Sequence, residues 1–230
     1  MKKVQRAPQA PPKTPTEEWK NEFVENIQKY LLRGNYHKGL EIAKKALRQY
    51  PKEFECRLQY AKLLGDWADE LPPRRKAKLK REAIQILKPL MRALSGKTPR
   101  QRFSACLNYY YQSQNYKGMA VFGRRLSQRR DRNGYYAQAL GACLHAQKLH
   151  DKKKIALAKQ WAKKSIASWK KYDLTKEKYY FAHYSLALAL ALSGDTKSAM
   201  NRLSVSARLS DRKVTDWEFA DVLKIIKSDS

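Results

Sequence analysis

Apolar residues recur along this chain at helical spacing, in stripes that end at breaks carrying Gly, Asn or Pro. Trp19, Phe23, Ile27, Tyr30 and Leu31 make the first stripe. Thr16 with Glu17 and Glu18 reads as its start, a hydroxyl cap followed by acids at the positive end of the helix dipole. After Gly34-Asn35-Tyr36, a second stripe runs through Gly39, Leu40, Ala43, Ala46 and Leu47 and stops at Pro51. Two antiparallel helices around a tight turn are predicted. Tyr184 to Ala207 repeats the arrangement in a less obvious form. Leu186, Leu188, Leu190 and Leu192 alternate with Ala187, Ala189 and Ala191, which alone reads as a strand. The spacers are alanines, with no Val, Ile or Thr among them, so helix is predicted instead. Ser193-Gly194-Asp195 breaks the run, and Ala199, Met200, Leu203 and Ala207 return. Small Ala187, Ala199 and Ser206 are placed where the two helices approach closely.

Three less regular pairs lie between. One has Leu58, Ala61, Leu64 and Trp67 inward on a helix from about Glu53 to Leu71. Pro72-Pro73-Arg74-Arg75-Lys76 then reads as an extended turn, because Pro-Pro opposes a continuous helix. Ala83, Ile84, Leu87, Leu90 and Leu94 follow, with Pro89 expected to kink or break their helix. The next pair carries Phe103, Cys106, Leu107 and Tyr110, the turn Asn115-Tyr116, then Met119, Phe122 and Leu126, with Gly118 at the small contact position. The fourth carries Tyr136, Leu140, Gly141 and Leu144, a lysine-rich turn, then Ile155, Ala158, Ala162 and Ile166. A final helix is predicted from Thr215 and Glu218 as a capping pair, with Trp217, Phe219, Val222, Leu223 and Ile226 on one side.

The two best-formed stretches resemble the tetratricopeptide repeat, a 34-residue helix-turn-helix unit. In GNYHKGLEIAKKALRQYP the turn Gly, turn aromatic, small residue, paired alanines and closing Pro all match. Near the carboxy end the match is carried by Leu186, Ala187, Leu190, Gly194-Asp195, Ala199, Leu203, Ser206 and Ala207. The resemblance implies an all-α, right-handed superhelical solenoid of about five hairpins over residues 17–211, closed by a capping helix in 212–230. Residues 1–16, with Pro8, Pro11, Pro12 and Pro15, are expected to be a disordered tail, in which Pro8 and Pro11 form a chance-level PxxP. The resemblance also implies a groove of first helices that binds a protein or peptide. Tyr110, Tyr111, Tyr135 and Gln138 are the candidate groove contacts, since three successive tyrosines from Tyr109 cannot all face inward. Members that hold chaperone carboxy-termini use a Lys and Asn clamp. Val24 and Gln28 stand at the corresponding positions here, so that ligand class is not implied.

Charge sharpens the functional expectation. With 49 Lys and Arg against 21 Asp and Glu, the net charge is +28. Such a field attracts nucleic acid, acidic protein segments or anionic membrane surfaces. From Pro72 to Lys171 the acids are only Glu82, Asp131 and Asp151. Arg74, Arg75, Lys76, Lys78, Lys152, Lys153 and Lys154 are read as clusters at inter-helix turns, lining one basic edge for an acidic partner. The leading expectation is a non-enzymatic scaffold that binds an acidic or extended protein segment. RNA binding through the same belt is the alternative.

Little points to catalysis. The histidines, His37, His145, His150 and His183, fall at spacings that do not build a site with Cys143, and no nucleophile, metal or phosphate-loop motif occurs. No cofactor or metal is expected. Three cysteines, Cys56, Cys106 and Cys143, without a CxxC pair suit a reducing compartment. No apolar run approaches the roughly 20 residues of a membrane span. A cytoplasmic protein is expected, with room for a homo-oligomer at the irregular second pair.

Overall fold

A computed structural model describes residues 14–93, 95–177, 179–210 and 216–228. Their regular structure is entirely helical, with no strand among the described residues. Contacts divide the chain into two compact units, one ending at Ser113 and the other beginning at Gln114.

The first unit holds α1 (Glu17–Leu32), α2 (Tyr36–Gln49), α3 (Phe54–Asp69), α4 (Pro73–Arg92) and α5 (Pro99–Gln112). Thr16 opens α1 as its spacing predicts, its side chain accepting from the Trp19 amide at 3.2 Å. Large side chains fill the core: Phe23, Ile27, Leu40, Phe54, Leu58, Leu63, Leu64, Leu87 and Leu90 are all buried. Trp19 stacks on Phe23 at 5.2 Å between ring centroids and meets Tyr50 edge-on at 4.8 Å.

An extended turn at Pro72-Pro73 and a helix break at Pro89 are both overturned. Pro72-Pro73 does not extend a turn. Pro72 is the N-cap and Pro73 the first residue of α4. The first helical position has no use for an amide proton, and the fixed φ of proline suits it. Nor does Pro89 end the helix, which continues to Arg92. Pro89 lies in the last turn on the exposed side, where water can reach the Gln85 carbonyl that its missing amide leaves unpaired, and its own carbonyl accepts from Ala93 at 3.0 Å. The bases at 74–78 therefore belong to a helix, not to a turn.

The second unit holds α6 (Tyr116–Ser127), α7 (Arg132–Asp151), α8 (Ile155–Tyr172), a short 3-10 turn (Leu174–Lys176), α9 (Tyr180–Ser193), α10 (Thr196–Leu209) and α11 (Asp216–Ser228). Here small residues set the packing. A Cβ on Gly123 would strike the backbone of Gln138, and one on Gly134 the backbone of Ser127. One on Gly141 would come within 2.5 Å of the Ala120 amide nitrogen. So α6 and α7 touch backbone to backbone. Gly118 does not share this role, since a Cβ there would meet the side chain of its own N-cap, Asn115.

The Leu-Ala alternation folds as the helix α9. Ala182, Leu186, Ala187, Leu188, Ala189, Ala191 and Leu192 are all buried. A helix covered on nearly every side needs no polar stripe, and that is why its pattern lost the helical period. Ser206 on α10 donates from Oγ to the Tyr180 carbonyl at 2.9 Å, and Ser165 on α8 to the Ala139 carbonyl at 2.8 Å. Val222 and Ile225 of α11 are buried in the same core.

Four turns share one geometry. Gly34, Gln114, Lys153 and Gly194 each have positive φ (67°, 52°, 58° and 93°). Each precedes an N-cap residue, Asn35, Asn115, Lys154 or Asp195. Asn35, Asn115 and Asp195 cap with their side chains, whereas Lys154 has none to offer. The proline-rich stretch through Pro12, Leu94, Thr215 and the side chains of Trp217, Glu218 and Phe219 lie outside the described residues.

Candidate interaction surfaces

Helix α4 has two faces of opposite character. Ala83, Leu87 and Leu90 are buried on one. Arg74, Lys78, Arg81, Gln85, Lys88 and Arg92 are exposed on the other. Their spacings alternate four and three residues, so at about 100° per residue they fall within a stripe about 80° wide. Over 18 residue steps at 1.5 Å the stripe is about 27 Å long. The bases of this row have no ion pair, hydrogen bond or ring contact among the described residues. Glu82 is the single acid on α4, and it is turned aside to accept from the Tyr60 hydroxyl at 3.1 Å. That carboxylate and burial raise the Tyr60 phenol to about 12, burial contributing most.

Other bases of the same helix are used internally. Lys76 and Lys80 both lie 2.9 Å from Asp69 Oδ1 on α3, and Lys80 also sits over the Tyr111 ring at 5.4 Å. Arg75 is exposed but off the stripe. Thus, of the basic residues singled out at 74–78, Arg74 and Lys78 join the row and Lys76 is neutralised by a neighbour. Arg81, Lys88 and Arg92 complete it. Their signal in the sequence was the alternating spacing, which counting bases by stretch does not reveal.

Behind this face, burial raises the Asp66 carboxyl to about 6, with the charge of Asp69 adding to the shift and Lys62 and Lys80 opposing it. The Gln112 carboxamide, packed over Gly65, sits beside Asp66 and favours the ionised form, although its nitrogen and oxygen meet no partner in hydrogen-bond geometry.

The candidate groove residues divide between the units. Tyr110 and Tyr111, in the first, are half-buried, and Tyr110 packs edge-on to Tyr109 at 5.7 Å. Tyr135 and Gln138, in the second, are also half-buried, and the Gln138 side chain accepts from Ser127 Oγ at 3.3 Å. Lys152, Lys153 and Lys154 lie in the α7–α8 turn as expected, exposed beside Ile155 and Leu157, which are exposed too. Arg132, part of the central basic stretch, is engaged locally. It stacks over Tyr172 at 4.3 Å and lies 3.8 Å from Glu177. Glu177 accepts from the Tyr172 hydroxyl at 2.6 Å, and burial first, then this bond, pushes that phenol up to about 12.

Cysteines and histidines have structural surroundings. Cys56, Cys106 and Cys143 are free and buried, and burial raises their thiols to about 12, 11 and 12. Cys143 donates to the Ser185 carbonyl at 3.2 Å. His145 meets Trp161 edge-on at 4.7 Å, and burial, then Lys117 and Lys148, lowers its pKa. His183 joins the Glu177 carbonyl at 2.9 Å to Arg202 at 3.3 Å, holding the entry to α9. No helix of the described residues is long and apolar enough to cross a membrane.

No protein-family model matches the chain, and no curated protein matches it.

Proposed function

We propose that this chain is a non-enzymatic scaffold of the tetratricopeptide kind, its hairpins stacked as a right-handed superhelical solenoid, that holds an acidic segment of a partner protein. The recurrent turn at Gly34, Lys153 and Gly194 supports the repeat reading, since the same backbone solution serves three helix pairs within the two units. The observation that carries the binding reading is the unpaired row on α4. A charge row with local partners stabilises its own fold, whereas this one has none among the described residues and is open to a partner from elsewhere. Exposed cations of this kind steer and retain carboxylates in a salt-dependent manner.

An acidic protein suits the first unit better than nucleic acid does. The unit exposes Glu17, Glu18, Glu22, Glu25, Glu41 and Glu70 as well as the α4 bases. A wide polyanion would meet both signs, while a narrow segment along α4 meets one. Fluorescence anisotropy with labelled polyglutamate tests this. Binding at physiological salt should weaken about tenfold in Arg74→Glu/Lys78→Glu, with helicity by circular dichroism unchanged. Duplex RNA that binds more tightly and displaces polyglutamate, or a double variant that binds as the wild type does, would overturn the reading.

A further inference from the structure

The row on α4 carries information beyond its sign, because its geometry is that of a helix face. Arg74, Lys78, Arg81, Lys88 and Arg92 are spaced four, three, seven and four residues apart, with neutral Gln85 in the seven-residue gap. Every one is exposed, and the core side chains of α4 lie on the opposite side. We infer that the partner segment is itself an α-helix, lying along α4 with carboxylates at matching four- and three-residue intervals.

An α-helix with acidic side chains at those intervals presents a stripe of the same length and period. Its diameter of about 10–12 Å fits a single-helix face. An extended acidic chain repeats at about 3.3 Å per residue, with alternate side chains turned away, and cannot stay in step over about 27 Å. Single-stranded nucleic acid is held by rings interleaved with cations. The exposed row on α4 contains no aromatic residue. The two arginine ends and Arg81 can each grip a carboxylate with two parallel hydrogen bonds, which sets register as well as affinity. Gln85 marks the centre, where the partner needs no charge and an amide can bond a polar side chain.

This inference rests on the proposed acidic-partner function, and the following experiment separates the two. Two three-heptad, alanine-rich peptides are made with equal numbers of glutamates. In one the glutamates follow the α4 intervals and share a face, and in the other they are distributed around the helix. Both are titrated against the full chain at physiological salt, with duplex RNA of similar charge as a third probe. The in-register peptide should bind at least about tenfold more tightly than the distributed one, since only it engages several exposed pairs together. Gln85→Glu, a near-isosteric change at an exposed position, should cut the in-register affinity severalfold without altering helicity, and Arg81→Glu/Lys88→Glu should abolish the preference. Equal affinity for both peptides would overturn the helical partner while leaving an acidic one standing. Failure of both peptides would overturn both, with RNA binding then assigning the row to nucleic acid.

Discussion

The two units of this chain pack their helices by different means. In the first, bulky residues such as Phe23, Ile27, Leu58, Leu63 and Leu87 fill the space between helices. In the second, Gly123, Gly134 and Gly141 let the backbones of α6 and α7 touch, while large residues such as Trp169, Leu188 and Leu203 share the remaining core with Ala187, Ala189 and Ala199. Filled cores lose stability when side chains shrink, because a cavity remains. Close backbone contacts lose it when side chains grow, because backbone atoms have no rotamer to escape into. The difference also extends to the surface. α9 is buried nearly all round, whereas α4 leaves a whole face to solvent.

The largest effect should come from growth in the second unit. Gly123→Val is expected to destabilise by about 4 kcal/mol or more, as its side chain would occupy the Gln138 backbone. A urea midpoint close to the wild-type value would break the close-contact description. Shrinkage in the first unit comes next. Leu87→Ala, at a fully buried site, should cost about 3 kcal/mol through the cavity it leaves.

Asp66 offers a pH-dependent test. Its carboxyl titrates near 6 in the fold and at 3.8 ordinarily, so the folded state favours the protonated form. Its contribution to stability is therefore fullest below about pH 4 and is lost as pH rises through about 6. Asp66→Asn should stabilise by on the order of 1–2 kcal/mol at pH 8 and by nothing near pH 4, less than full conversion of the shift because Asp66 keeps some contact with water. A gain that does not fade on acidification would contradict this origin. A smaller gain, about 0.5–1 kcal/mol in thermal unfolding, is expected for Lys153→Gly, which relieves a left-handed residue that Gly34 and Gly194 accommodate freely. Arg81→Glu should change stability least, by less than about 0.5 kcal/mol, since Arg81 is exposed and makes no hydrogen bond, ion pair or ring contact among the described residues.

Much of this architecture was legible in the chain. The Gly34-Asn35 and Gly194-Asp195 turns carry their mechanism in their residue types, and the stripes through Leu40, Ala43 and Ala46 face the core as their spacing predicts. The Leu-Ala alternation was legible only because alanine favours helix more strongly than alternation favours strand. Pro72-Pro73 misled because the same residue that breaks a helix interior suits its first position. The glycine contacts of α6 and α7 were mostly hidden, since a glycine does not announce whether it serves a turn or a contact. The basic residues were visible, but their partition was not. Whether a lysine meets Asp69, as Lys76 does, or faces water, as Lys78 does, depends on the neighbouring helix.

Chemical acetylation of the full chain, read by mass spectrometry with and without the in-register glutamate peptide, compares the cationic faces of the two units in one sample. Lys78 and Lys88 should lose reactivity on adding that peptide while Lys152, Lys153 and Lys154 keep theirs. Protection spread evenly over all five lysines, or confined to 152–154, would show that net charge rather than the ordered row on α4 holds the partner.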